Sequence, residues 1–119
     1  MVRMVVGVGS RDVRSALFIA LDALDGLRVV GSGTSAAEVI TLCRTLQPEV
    51  VVVEDGLSDW ALEDLLDAVV IPAWSGDVLV ISGTATTDVI DRYENAHLMQ
   101  GIEEVAATVN RRRPGAGAQ

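Results

Sequence analysis

The stretch Val50-Val51-Val52-Val53-Glu54-Asp55 decides the fold. Four consecutive β-branched apolar residues are typical of a strand that is buried on both faces, as in a parallel sheet. Two carboxylates follow at the carboxyl end of this strand. In open α/β sheets, ligands and chemistry lie at that end of the strands. We therefore expect a central parallel strand with Glu54 and Asp55 at its tip.

Strand and helix patterns alternate on both sides of this stretch, as in a sheet with helices on both faces. Apolar runs predict strands at Val2–Val8, Leu27–Val30, Val50–Val53, Val78–Ile81 and His97–Met99. Helical spacing predicts helices after Ser10, after Ser35, at Trp60–Val70, near Thr87–Glu94 and from Ile102 to Val109. The 119 residues fit a flavodoxin-like, doubly wound α/β fold with a five-stranded parallel sheet in the order 2-1-3-4-5.

Punctuating residues mark the ends of several elements. Ser10 is a good N-cap, and Ser35 with Glu38 forms a capping box. The glycines of Gly31-Ser32-Gly33-Thr34 are expected to end the second strand. We expect residues 1–110 to form one domain and residues 111–119 a flexible basic tail. The arginines that open this tail favour the end of the last helix.

Composition restricts the class of protein. The chain has nine arginines, no lysine and 17 acidic residues, and its net charge is −8. Such a surface repels phosphate backbones, which argues against nucleic-acid binding by the folded part. Cys43, the one cysteine, lies on an apolar helix stripe and is expected in the core. Without a membrane span or signal peptide in the sequence, we expect a cytoplasmic protein with no membrane contact.

The segment from Val30-Gly31 to Glu54, with Leu46-Gln47-Pro48-Glu49-Val50 within it, resembles the response-regulator receiver (CheY-like) family. The pattern is most similar to receivers that precede a helix-turn-helix output domain. The resemblance implies a domain that accepts a phosphoryl group on an aspartate at the tip of the third strand. An acidic pair holds Mg²⁺ beside that aspartate, and a hydroxyl and a lysine contact the phosphoryl oxygens. The charges of the cation and the lysine neutralise the phosphoryl group.

Matched to this pattern, the chain departs from the family where the charges matter. Gly9 and Ser10 stand at the positions of the acidic pair, although Asp12 is nearby. Glu54 stands at the phosphoacceptor position, six residues after Pro48. Because glutamate is one methylene longer than aspartate, it would place an acyl phosphate wrongly.

Later positions of the pattern are kept only in part. Ser82 retains the hydroxyl, Gln100 replaces the lysine, and His97 stands at the aromatic switch position. The stretch between Ser82 and Gln100 is shorter than usual in the family. This shortening weakens the fourth helix and, with it, the usual dimerisation face of the family.

Two interpretations of Glu54 stay open. Its carboxylate could be a fixed mimic of the phosphorylated state, or a relic held by helix N-termini and Ser82. Asp55 would accept a phosphoryl group only if the strand slipped by one residue, which would turn its neighbours inside out.

For other features of the sequence, a purely structural explanation is favoured over a functional one. Gly7-Val8-Gly9 lacks the third glycine of a dinucleotide loop, so it predicts an ordinary strand-to-helix turn. His97 has no second histidine or cysteine with which to bind a metal. Trp60 and Trp74 are expected to cover the core, although exposed tryptophans could anchor a partner.

The leading hypothesis is a pseudo-receiver, which is a regulatory module without enzymatic activity, metal or cofactor. It would act by binding a protein partner or a second copy of itself. A regulator that binds a small ligand in the strand-tip crevice is one alternative. Another is that the chain is the N-terminal receiver-like part of a larger transcription factor or localisation ATPase.

Overall fold

The computed structural model describes residues 2–55, 57, 61–69, 76–82 and 87–112. In chain order the elements are β1 (Val2–Gly7), α1 (Arg11–Asp22), β2 (Leu27–Gly33), α2 (Ala36–Leu46), β3 (Val50–Glu54), α3 (Leu62–Val69), β4 (Asp77–Ile81), α4 (Thr87–Ile90), β5 (Ala96–Met99) and α5 (Ile102–Arg112). Neighbouring strands pair in parallel, in the order β2-β1-β3-β4-β5. The predicted flavodoxin-like sheet and its strand order are therefore confirmed.

The valine run of β3 feeds two separate cores. Val51 and Val53 lie in the core under α2, α3 and α4. Val50 and Val52 lie in the core under α1 and α5. All four are at most 1% exposed. Successive side chains of a strand point to opposite faces, so a strand covered on both sides must be apolar at every position.

The predicted helix caps are present. The Ser10 hydroxyl accepts a hydrogen bond from the Val13 N–H at 3.4 Å, and the Ser35 hydroxyl accepts one from the Glu38 N–H at 3.3 Å. The Glu38 carboxylate accepts the Thr34 N–H at 3.2 Å, one residue before the N-cap that the capping box predicts. Hydrogen bonds from the Thr34 N–H, the Thr34 hydroxyl and the Ser35 hydroxyl keep the pKa of the Glu38 carboxyl below its ordinary value.

Strand β2 is longer than predicted. It was expected to end at Val30, but it runs on to Gly33, which pairs with Gly7 of β1. The two glycines of this extension allow α2 to pack closely. A Cβ on Gly31 would lie 3.1 Å from Leu42 Cδ2 of α2, and a Cβ on Gly33 would lie 2.8 Å from the Cβ of the neighbouring Glu38. The glycines therefore serve packing here and do not break the strand.

The same strand contains a β-bulge. Met4 of β1 pairs with Val29, whereas the next residue, Val5, pairs with Gly31. Val30 is therefore an extra residue in β2. Since β2 is an edge strand, the bulge lies at the border of the sheet, where bulges are common.

The region between β4 and β5 contains a helix of four residues, Thr87–Ile90, which is shorter than the predicted Thr87–Glu94. Hydrogen bonds from Arg92 and Tyr93 to α3 hold the turn that follows it. Arg92 Nη1 lies 2.6 Å from Glu63 Oε1, and the Tyr93 hydroxyl donates to Asp67 Oδ1. Burial, followed by the hydrogen bond and charge of Asp67, raises the pKa of Tyr93 to about 12.

Other predicted ends shift slightly. Helix α3 lies inside the predicted Trp60–Val70, and both tryptophans, Trp60 and Trp74, lie outside the described residues. Helix α5 continues to Arg112, so Arg111 and Arg112 lie in its last turn. Cys43 is buried, as predicted. Within the described ranges, no helix combines the length and the apolar character needed to cross a bilayer.

Candidate functional site at the strand tips

Glu54 lies where the carboxyl ends of β1 and β3 meet. Its Oε1 accepts a hydrogen bond from the Ser10 N–H at 3.4 Å. Ser10 is the N-cap of α1, and the free amides at a helix N-terminus favour a negative charge. The carboxylate therefore ties the tip of the central strand to the beginning of the first helix.

Gly9 lies beside this carboxylate. An added Cβ on Gly9 would lie 3.9 Å from Glu54 Oε1 and 3.7 Å from Leu57 Cδ1. An acidic side chain at position 9 would thus begin next to the carboxylate of Glu54. A carboxylate at position 9 would therefore lie near that of Glu54, and like charges close together repel each other.

Ser82 and Asp55 form a second link, across the tips of β3 and β4. The Ser82 hydroxyl donates to Asp55 Oδ2 at 3.0 Å, and the Ser82 side chain is buried. The backbone continues this link, because the Asp55 N–H donates to the Ile81 carbonyl and the Ser82 N–H donates to the Met99 carbonyl. One of the two interpretations of Glu54 has Ser82 hold that carboxylate, whereas the Ser82 hydroxyl donates to the following one, Asp55.

His97 and Gln100 are not drawn into this cluster. His97 Nε2 lies 3.2 Å from Oδ1 of Asp77, the first residue of β4, and His97 is in register with Leu79. The histidine is thus directed away from the strand tips. The Gln100 N–H donates to Glu104 Oε2 at 3.1 Å, and Gln100 itself is exposed at the start of α5.

Asp77 is the residue of this arrangement that sequence reasoning missed. The predicted strand order placed the fourth and fifth strands side by side, so an acid and a histidine on them were candidates for a pair. The register that brings them together depends on the loop between the strands, and no local pattern encodes it.

The strand tips offer hydrogen-bond acceptors that already have donors. Glu54 is bound by a backbone amide and Asp55 by a hydroxyl. Asp12 is exposed in the first turn of α1. In the part of the chain that the structure describes, no three acidic, histidine or cysteine side chains are grouped so that they could hold a metal ion.

Comparison with known proteins gives a likeness of structure and not of sequence. No family model matches the chain, and no curated protein matches it. The signal receiver domain of the response regulator NarL from Mycobacterium tuberculosis is 21% identical, with a TM-score of 0.79 over 96% of this chain and 97% of that one. The response regulator domain of Thermotoga maritima CheB is 19% identical, with a TM-score of 0.76 over 94% and 92% of the two chains.

A third similar structure is a DNA-binding response regulator of the LuxR family from Staphylococcus aureus. It is 12% identical, with a TM-score of 0.79 over 93% of this chain and 98% of that one. At these identities the likeness concerns the path of the backbone. From β1 to α5, the chain has the fold of the response-regulator receiver domains.

Proposed function

We propose that this chain is a receiver-like signalling module that acts through protein–protein contact and without phosphorylation. The hydrogen bond between Glu54 and the Ser10 N–H is the observation that carries the proposal. By the resemblance, these two positions belong to the phosphoacceptor and to the acidic pair. Here the carboxylate of Glu54, at the phosphoacceptor position, accepts a hydrogen bond from the backbone N–H of Ser10, at a position of the acidic pair.

The charges of the site support the same conclusion. A phosphoryl group that moves to a carboxylate needs positive charge near its oxygens. Gly9 and Ser10 carry no carboxylate that would hold Mg²⁺, and Gln100 carries no positive charge. Divalent cations such as Mg²⁺ prefer oxygen ligands with negative charge, which these two positions lack.

The test is the intact mass of the purified protein after incubation with acetyl phosphate, with and without Mg²⁺. We expect no phosphoryl adduct in either sample. A Mg²⁺-dependent adduct on the wild-type chain would contradict the proposal, and Asp55 and Asp12 would then be the first acceptors to examine.

A repaired variant is the matched control. Gly9→Asp, Ser10→Asp, Glu54→Asp and Gln100→Lys together restore the charges that the resemblance implies. A Cβ at position 9 meets only ordinary contacts, and aspartate caps a helix as well as serine does. We expect this variant, and not the wild-type chain, to form the adduct. Such a gain would assign the missing chemistry to these four positions.

A further inference from the structure

A groove lies between α1 and β2, at the amino-terminal end of the strands and away from Glu54. Its volume is about 290 Å³. It is lined by Phe18, Leu21 and Asp22 from α1 and by Leu27, Arg28 and Val29 from β2. Four of these six side chains are apolar, and the remaining two carry opposite charges. The outer edge of β2 beside the groove has no neighbouring strand among the described residues.

The two charges of the groove have no side-chain partner among the residues that the structure describes. Asp22 and Arg28 are exposed, and neither makes an ion pair or a side-chain hydrogen bond in the described part of the chain. Arg28 lies in register with Arg3 on β1, so its nearest charged neighbour across the strands has the same sign. Like charges opposite each other are unfavourable, and a carboxylate from outside would relieve the repulsion.

An exposed apolar side chain lies next to the groove. Ile19 is 74% exposed, and it is the only large hydrophobic residue among the described ones that is exposed. It precedes Asp22 by three residues on α1, so both lie on the same side of the helix. The surface thus combines an apolar contact, a free acid and a free base.

We propose that this α1–β2 surface binds the same surface of a second copy of the chain. A patch that carries one acid and one base is complementary to itself under a two-fold rotation, because Asp22 of each copy can meet Arg28 of the other. Each copy also supplies an Ile19 and a partly apolar groove to cover it.

The charge of the rest of the molecule favours this surface for self-association. Two copies with a net charge of −8 repel each other, and a locally balanced patch reduces this repulsion where they meet. The exposed side of α3 and α4 is not balanced. Its one described arginine, Arg92, is paired with Glu63. The exposed acids of that side are Glu63, Asp64, Asp67, Asp88, Asp91 and Glu94.

Charge reversal tests the proposal by sedimentation of the full chain over a range of concentrations. We expect a dimer of the wild-type protein. Asp22→Arg or Arg28→Asp alone should raise the dissociation constant roughly tenfold or more, because each places like charges together twice in the dimer. The double variant Asp22→Arg/Arg28→Asp should restore the wild-type constant to within a few-fold.

Two further variants separate this contact from general effects. Asp64→Arg on α3 changes the net charge as Asp22→Arg does and should leave the dimer intact. Ile19→Ser should weaken the dimer without unfolding the protein, because this side chain is exposed. Thermal melts of each variant verify the fold.

Three results would overturn the proposal: a wild-type monomer at about 1 mM, single reversals that leave the dimer unchanged, or assembly beyond a dimer. The groove and the strand tips lie at opposite ends of the sheet, so none of these results bears on the phosphorylation test.

Discussion

Glu54 and Asp55 are neighbours in the chain, yet each is bound to a different strand. Glu54 accepts a hydrogen bond from the loop after β1, and Asp55 accepts one from the residue after β4. The two carboxylates therefore connect the three central strands at their tips. The donor to Glu54 is a backbone amide, and the donor to Asp55 is a hydroxyl.

The hydrogen bond between Ser82 and Asp55 should make a measurable contribution to the free energy of unfolding. Ser82 is 5% exposed, so Ser82→Ala removes a buried donor from a carboxylate that is half-buried. We expect the variant to lose about 1–2 kcal/mol of unfolding free energy in urea titration. Ser15→Ala is the control, because Ser15 is exposed on α1, and its change should stay within about 0.5 kcal/mol. Equal effects of the two substitutions would contradict the importance of this link.

At the residue scale, the sequence predicted the positions of the site better than its contacts. Glu54, Ser10 and Ser82 were expected at the strand tips, and they are found there. Which carboxylate the hydroxyl of Ser82 would select was not predictable, since Glu54 and Asp55 are adjacent and differ only in direction and length. His97, which the resemblance places at a switch position, contacts Asp77 at the beginning of β4, and the sequence did not predict this contact.

At the scale of the elements, helix α2 packs very closely against strand β1 of the sheet. A Cβ on Gly7 would overlap Val39 Cγ2 and would lie 3.3 Å from Leu57 Cδ2. We expect Gly7→Ala to lower the unfolding free energy by about 1–3 kcal/mol, because a well-packed core does not accept an extra methyl group.

Two variants test this explanation. Gly9→Ala adds the same methyl group where the nearest atom is 3.7 Å away, so its cost should stay within about 0.5 kcal/mol. Val39→Ala removes the atom that Gly7→Ala would overlap. If packing is the cause, the two changes combined should cost less than the sum of the single ones.

The helices and strands were predictable where the hydrophobic periodicity was strong. The prediction was wrong at the end of β2, where a glycine can have either of two roles. The valines of β3 and the caps at Ser10 and Ser35 specified their elements locally. Gly31 and Gly33 were interpreted as turn residues, but they belong to β2 and make room for α2. A glycine that ends a strand and a glycine that admits a helix look alike in one sequence, because tertiary packing decides between the two.

At the scale of the whole molecule, Cys43 reports on global opening. It lies in the core beneath α2, and burial raises the pKa of its thiol to about 12. Only the thiolate reacts with disulfide reagents, so we expect negligible labelling of the folded protein near neutral pH and prompt labelling in urea. Rapid labelling without denaturant would contradict the burial of this residue.

The same thiol makes stability depend on alkaline pH. Its pKa is higher in the folded protein than in the unfolded chain, where it is about 8.5. The contribution of the buried, protonated thiol to the free energy of unfolding is therefore fully present below about pH 8.5 and is lost as the pH rises towards 12. Cys43→Ser would not serve as a control, because it places a hydroxyl in the core. Cys43→Ala removes the titration and is the suitable comparison.

The extra residue Val30 has a consequence for growth into fibrils. β2 is a seven-residue edge strand, and long, regular edges are templates on which further chains add without limit. The bulge shifts the backbone ladder halfway along this edge, so an incoming strand cannot stay in register across it. Strand addition at this border is therefore limited to the short ladders on either side of Val30.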